Sequence, residues 1–244
     1  MDSTISTLSV LNLSKSFAGL TAVDQVNLQL QTGEVLGLIG PNGSGKTTFI
    51  NIVTGLLAKD GGHVDIDGLD ISALPAHKIA RVGLVRTYQT IRLFKNLSCL
   101  ENVEVGATGV GMSRRQASLL AMQMLDKLGL AAKADAGVQG LTFRDQRLLE
   151  IARALAAKPK FVLLDEPAAG LNEEESNRLL ELLKPMPAEY GIGLLVVDHD
   201  MHLMMRLCDR LHVLNYGKTI AEGTPDEVRK NPEVIKAYLG GEAA

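Results

Sequence analysis

The sequence predicts an α/β fold. A buried parallel sheet carries a phosphate-binding loop, a small antiparallel layer lies beside it, and a helical lobe is inserted into the core. Three observations predict this. Residues 40–47 read Gly-Pro-Asn-Gly-Ser-Gly-Lys-Thr directly after the apolar run 35–39. Two more continuous apolar runs, 161–164 and 192–197, have the length and composition of strands covered on both faces. From about residue 97 to 157 the character changes, and residues 114–128 are rich in Ala, Leu, Met and Gln at helical spacing.

Taken in order, residues 8–13, 26–30 and 35–39 are short apolar strands separated by turns, which makes the opening β-rich. The helix after the phosphate loop is expected from Thr47 to about residue 57, and residues 64–68 belong to a second strand pair. Residues 80–89 read as strand plus loop. After the helical lobe come the strands 161–164 and 194–198. Between them, Asn172 followed by Glu173-Glu174-Glu175 is an N-cap with acids in the first turn of a helix reaching about residue 184. Thr224-Pro225-Asp226-Glu227 opens a last helix in the same way. There is no internal repeat and no low-complexity linker. The expected organisation is one domain over residues 1–244, with the helical lobe at about 90–157.

Bulk properties narrow the function. The 244 residues are ample for a large core, and the net charge of −3 with a pI near 6.0 gives no basic face for nucleic acid. Cys99 and Cys208 lie far apart and fit no metal or redox spacing, so buried or spare thiols in a reducing cytosol are expected. No apolar run approaches the length of a membrane span. The opening Met1-Asp2-Ser3-Thr4 has no basic region, so no signal peptide is expected. Any membrane role then comes through a partner.

The loop residues point to a nucleoside triphosphate. Its glycines let successive N–H groups turn toward a phosphate with no Cβ in the way. Lys46 can reach the β- and γ-oxygens, the Thr47 hydroxyl is placed to ligand Mg²⁺, and the following helix points its positive end at the same anion. Asp165 and Glu166 end the apolar run 161–164, where α/β sheets present ligands. Asp165 is suited to hold Mg²⁺ through water, and Glu166 to polarise the water that attacks the γ-phosphorus. His199 follows another strand end and can reach the γ-phosphate. Gln89 lies in Arg86-Thr87-Tyr88-Gln89, where the core meets the lobe, and its amide can contact the metal or the attacking water.

The order of these motifs resembles an ATP-binding cassette (ABC) transporter ATPase from end to end. Phe17 stands where that family stacks an aromatic ring on adenine, ahead of Gly40-Pro41-Asn42-Gly43-Ser44-Gly45-Lys46-Thr47-Thr48. Gln89 fits the Q-loop, residues 141–146 the signature, and Asp165 and Glu166 the Walker B acids. Ala169-Gly170-Leu171-Asn172 fits the D-loop, and His199 the switch histidine. The resemblance implies a P-loop NTPase (RecA-like) core with a small antiparallel β subdomain and an inserted helical subdomain. It implies ATP and Mg²⁺ as cofactors, and transport-coupled ATP hydrolysis with Glu166, His199 and Gln89 in catalytic roles. Phe17, the loop 40–48, Thr142, Arg144 and Gln146 would bind nucleotide, and Thr47, Gln89 and Asp165 would surround the metal.

The implied partners are transmembrane permease subunits docked on the helical lobe, with residues 89–101 forming the cleft, and a second ABC ATPase in a head-to-tail dimer. A periplasmic or lipid-anchored solute-binding protein would act indirectly, no nucleic acid is involved, and the location is the cytoplasmic face of the cell membrane. Arg86-Thr87-Tyr88-Gln89, Ile91-Arg92-Leu93-Phe94, Ala168 through Asn172, His199-Asp200-Met201 and Ala237-Tyr238-Leu239-Gly240 resemble the ATPases of branched-chain (hydrophobic) amino-acid importers. The lipopolysaccharide-export ATPase is similar but less so around Gln89 and the D-loop, and urea importers use almost the same subunit. A soluble ABC protein of translation or repair is disfavoured by the single cassette and the lack of sustained heptads.

The signature departs from the pattern. Where the family has a small hydroxyl residue followed shortly by glycine, this chain reads Leu141-Thr142-Phe143-Arg144-Asp145-Gln146. Thr142 keeps the hydroxyl and is expected to N-cap a helix over 144–156, with Asp145 closing a capping box. Arg144 replaces the glycine whose backbone, in the family, approaches the γ-phosphate on the opposite subunit. Either the guanidinium replaces that contact, or the signature is degenerate and serves a non-hydrolysing site in an asymmetric pair.

Overall fold

The computed structural model describes residues 5–239; Met1–Thr4 and Gly240 of the two terminal motifs lie outside them. Two long strands open the chain, β1 (Thr7–Phe17) and β2 (Leu20–Gln31). Strand β3 (Val35–Ile39) runs through the phosphate loop into α1 (Lys46–Val53), followed by the hairpin β4 (Gly61–Ile66) and β5 (Leu69–Asp70). Helix α2 (Ala76–Val82) leads into β6 (Leu84–Arg86), and three helices follow: α3 (Cys99–Gly109), α4 (Arg114–Lys127) and α5 (Phe143–Ala156). The chain returns through β7 (Phe161–Asp165), α6 (Glu173–Leu183), α7 (Met186–Tyr190), β8 (Gly193–Val197), α8 (Met201–Leu207) and β9 (Arg210–Asn215). Strand β10 (Lys218–Gly223) and helices α9 (Pro225–Lys230) and α10 (Pro232–Leu239) finish it.

Two sheets result. One is antiparallel in the order β2-β1-β4-β5; the other has the order β10-β9-β3-β8-β7-β6 and is parallel except for β10. Every residue of β3, β7 and β8 is buried, as their unbroken apolar runs require. Period-2 geometry splits their side chains between two cores. Val162, Leu164, Leu194 and Val196 face a core shared with α3, α4 and α5, while Leu163, Leu195, Leu36 and Leu38 face α1 and the antiparallel sheet. Because β3, β8, β7 and β6 are parallel neighbours, the segments leaving them (residues 40–45, 198–199, 166 and 87–89) emerge on one edge.

The α/β class and its antiparallel and helical additions are as expected, but several boundaries differ. Strand β1 extends to Phe17 rather than 13, because register shifts after Val10 carry the pairing with β2 past Asn12, which adopts φ 49°. Helix α1 stops at Val53 rather than 57: the Thr54 hydroxyl bonds back to the Ile50 carbonyl, and Gly55 turns at φ 70°. Residues 76–82, partly read as strand, are helical and end at Gly83 (φ 120°). The helix opened by Thr224 is followed by α10 and is not the last. Thr142 caps α5, its hydroxyl accepting from the Asp145 amide at 3.2 Å, but Asp145 closes no capping box. Its carboxylate is taken by Lys133. Both cysteines are buried and free, and burial pushes each thiol up.

Candidate active site

The phosphate loop is shaped by contacts that exclude side chains. A Cβ on Gly40 would sit 2.1 Å from the Leu214 carbonyl oxygen, and one on Gly45 2.2 Å from that of Ala22. Gly45, at φ 105°, is also the N-cap of α1, so no side chain occupies the first amides of that helix. Lys46 Nζ donates to the Gly40 and Pro41 carbonyls (2.7 and 2.9 Å) and to Ser44 Oγ (3.4 Å). Burial pulls its ammonium below the usual lysine range, and the Glu166 charge acts in the opposite direction. Thr47 is exposed and Thr48 half-buried at the start of α1; Asn42 and Gly43 are exposed at the loop's crest. Gly40 also meets the C-terminal helix: the Tyr238 hydroxyl lies against its amide, and burial raises that phenol to about 12.

The acids sit where the strand order puts them. Asp165 closes β7 and pairs with Arg86 at 2.6 Å, both side chains being largely buried. Glu166 takes φ 47°, rare for a residue with a Cβ, and its amide donates to the Val197 carbonyl at 2.7 Å. That twist turns its carboxylate toward Gln89, whose Nε2 donates to Oε2 at 2.7 Å, and toward His199, whose Nδ1 is 3.7 Å from the same oxygen. Asp198 is buried beneath them and accepts from the amides of Asp200 (3.0 Å) and Ala168 (3.4 Å). The structure therefore brings Glu166, Gln89 and His199 together.

The signature residues form a separate corner. Gln146 Nε2 donates to the Leu141 carbonyl at 3.2 Å, and half-buried Arg144 lies 3.7 Å from Asp145, which also holds Lys133. Phe143 covers Gly170 of the segment 169–172: a Cβ on that glycine, at φ 82°, would touch the ring at 3.0 Å. Among the described residues no hydrogen bond or ion pair joins Thr142, Arg144 or Gln146 to the phosphate loop. Phe17 is likewise apart, exposed at the end of β1 with Lys15 Nζ 5.4 Å from its ring centroid.

Residues 23–169 match the family model described as ABC transporter. The chain belongs to the ABC transporter ATPase family. Residues 218–244 match a second family model, branched-chain amino acid ATP-binding cassette transporter. The chain is 41% identical to the high-affinity branched-chain amino acid transport ATP-binding protein BraF of Pseudomonas aeruginosa, over 96% of this chain and 97% of BraF. It is 37% identical to the lipopolysaccharide export system ATP-binding protein LptB of Escherichia coli, over 97% of this chain and 98% of LptB. Among solved structures it superposes on the ADP conformation of MJ1267, an ATP-binding cassette of an ABC transporter, with a TM-score of 0.87 and 31% identity, covering 97% of this chain and all of that one. It is an ATPase that binds nucleotide.

For an ABC ATPase, the donor set here fits Mg²⁺. Thr47, Asp165 and Gln89 offer hydroxyl, carboxylate and amide oxygens, the hard donors that Mg²⁺ takes beside substrate phosphates. Sequence reading missed the clamp behind Gln89. Fully buried Arg147 donates to the carbonyls of Tyr88 (2.7 Å) and Gln89 (2.9 Å) and pairs with buried Glu150 at 3.1 Å. Burial raises the Glu150 carboxyl, against the pull of the Arg92 amide and of Arg147 and Arg153. Two charges on the buried face of α5, three residues apart, break its apolar pattern and were the available signal.

Proposed function

We propose that this ATPase is the energy-coupling subunit of an importer of branched-chain or other hydrophobic amino acids, held at the cytoplasmic face of the cell membrane by permease subunits. The observation that carries the reading is the convergence of Lys46, Asp165 and the Glu166–Gln89–His199 cluster on one sheet edge. Residues 1–244 act as one ABC unit, with the lobe at about 90–157 inserted in the nucleotide core. BraF and the match over residues 218–244 favour the amino-acid substrate class over lipopolysaccharide export. A urea importer is the nearest alternative. Among the described residues no helix is long and apolar enough to cross a membrane.

In this reading the loop amides and Lys46 hold the β- and γ-phosphates, and Phe17 stacks on adenine. Thr47, Asp165 and Gln89 would hold Mg²⁺, which when bound would neutralise charge on the phosphates. Glu166 accepts the proton of the attacking water, and Gln89 and His199 fix its carboxylate and sense the γ-phosphate. Thr142 and Gln146 face a second cassette's nucleotide across a head-to-tail dimer, and residues 89–101 receive the permease.

The departure at Arg144 favours pairing with a different ATPase. Asp145 and Lys133 add charges of their own at this tip, which supports a reading in which this signature is degenerate and a partner's signature would serve this chain's Glu166.

Two measurements test the reading. Glu166→Gln is expected to lower phosphate release about 10²–10⁴-fold with ATP affinity retained; retained turnover would remove Glu166 from its role. Affinity purification from detergent-solubilised membranes is expected to bring two permeases and a second ATPase. Recovery of this ATPase alone with its permeases would mean a homodimer and strengthen the exporter reading; nothing from the membrane would return the chain to the soluble alternatives.

A further inference from the structure

The nucleotide edge contains a buried cation that the mechanism above does not use. Arg86 ends β6, one strand over from Asp165, and its side chain is 7% exposed. Its guanidinium forks: Nη2 donates to Asp165 Oδ2 at 2.6 Å, and Nη1 to Asn51 Oδ1 on α1, also at 2.6 Å. It lies 4.9 Å from the Tyr88 ring centroid, and the Tyr88 carbonyl is gripped by Arg147 of α5. One planar group thus touches the strand that carries the metal-binding acid, the helix that carries Thr47, and the segment that carries Gln89.

We propose that Arg86 is a positioning residue for the metal site: it fixes the Asp165 carboxylate relative to α1 and ties that placement to the segment 87–89. The proposal rests on the reading of Asp165 as a magnesium ligand. Arginine suits the task where lysine would not, because its rigid fork holds two partners at a set angle, while an ammonium is a point charge on a flexible stem. The carboxylate has acceptor sites to spare, so the contact through Oδ2 orients it without using it up. Orientation matters more here than in a metal cage, since a site with few protein ligands leans on each. The contact to Asn51 makes the restraint two-sided. Through Tyr88, a shift of the 87–89 segment moves the same guanidinium, so the permease-facing lobe and the metal-binding acid share one group.

The test is the affinity of Mn²⁺ for the protein's ADP complex, read by electron paramagnetic resonance, beside ADP affinity in the presence of a chelator. Arg86→Met is expected to weaken Mn²⁺ about 10–100-fold, with metal-free ADP binding unchanged. Arg86→Lys is expected to fall between it and the wild type, and Asn51→Ala to show a smaller loss. Unchanged or tighter Mn²⁺ binding in Arg86→Met would overturn the proposal, as would a parallel loss of metal-free ADP affinity. If Arg86→Met does not fold, the milder pair decides: wild-type Mn²⁺ affinity in both Arg86→Lys and Asn51→Ala overturns it. A wild-type protein that binds ADP but no Mn²⁺ would instead refute the metal-site reading itself.

Discussion

At the carboxyl edge of the parallel sheet, backbone geometry leaves little choice of residue; at the amino-terminal tip of α5 it leaves a great deal. Gly40 and Gly45 face carbonyl oxygens 2.1 and 2.2 Å from where a Cβ would be, and Glu166 is bent to φ 47° by a strand-end contact. Arg144 sits in the first turn of a regular helix, half exposed, where any residue is sterically acceptable to its own chain. A glycine required at such a place would have to be required by something outside the chain. The edge is therefore constrained from within, and the tip only through a partner.

Between the two regions lies the Arg147–Glu150 clamp, and breaking it has the largest expected effect on stability. Arg147→Met leaves buried Glu150 with the Arg92 amide at 3.2 Å and Arg153 at 3.6 Å as its remaining partners, and frees the carbonyls of Tyr88 and Gln89. A loss of about 3–5 kcal/mol is expected in denaturant unfolding, the usual result of orphaning a buried charge. A variant as stable as the wild type would mean the clamp is incidental and the two regions are mechanically independent.

The internal constraint on the edge can be sharpened with two glycines of one loop. Gly45→Ala combines φ 105° with a carbonyl collision at 2.2 Å, while Gly43→Ala has φ 77° and nothing within 4 Å. The second bears only the left-handed penalty, about 1–2 kcal/mol; the first must also displace β2 or the loop. Fluorescent-nucleotide titration is expected to show a loss beyond tenfold for Gly45→Ala and a smaller one for Gly43→Ala. Equal losses would mean that local φ preference, rather than close approach, explains both.

The contrast also explains what could be read from the sequence. The strands 35–39 and 161–164, the caps at Asn172 and Thr224 and the edge position of Glu166 were legible because each follows from local rules: apolar runs, cap chemistry and strand ends. The Glu166–Gln89 contact was not, since residues 77 apart meet only through strand order. Arg86 was hidden for another reason: a buried arginine looks like any surface charge until its acceptors, such as Asn51, are known. Asp145 was misassigned because cap statistics could not foresee Lys133 as a stronger partner.

The tip of α5 offers the smallest and most discriminating effect. Arg144→Gly removes the side chain from a helix start whose cap, Thr142, is intact, and takes with it the ion pair to Asp145 at 3.7 Å. Lys133 still holds Asp145, so little stability is at stake. If the signature is degenerate, the substitution restores backbone approach to a partner's phosphate. ATP turnover of a self-assembled dimer is then expected to rise about tenfold, the scale of one hydrogen bond to a charged group. If the guanidinium instead replaces the backbone contact, turnover falls when it is removed. Unchanged or lower turnover would sink the asymmetric-site reading, and the constraint on position 144 would then come from this chain's own dimer.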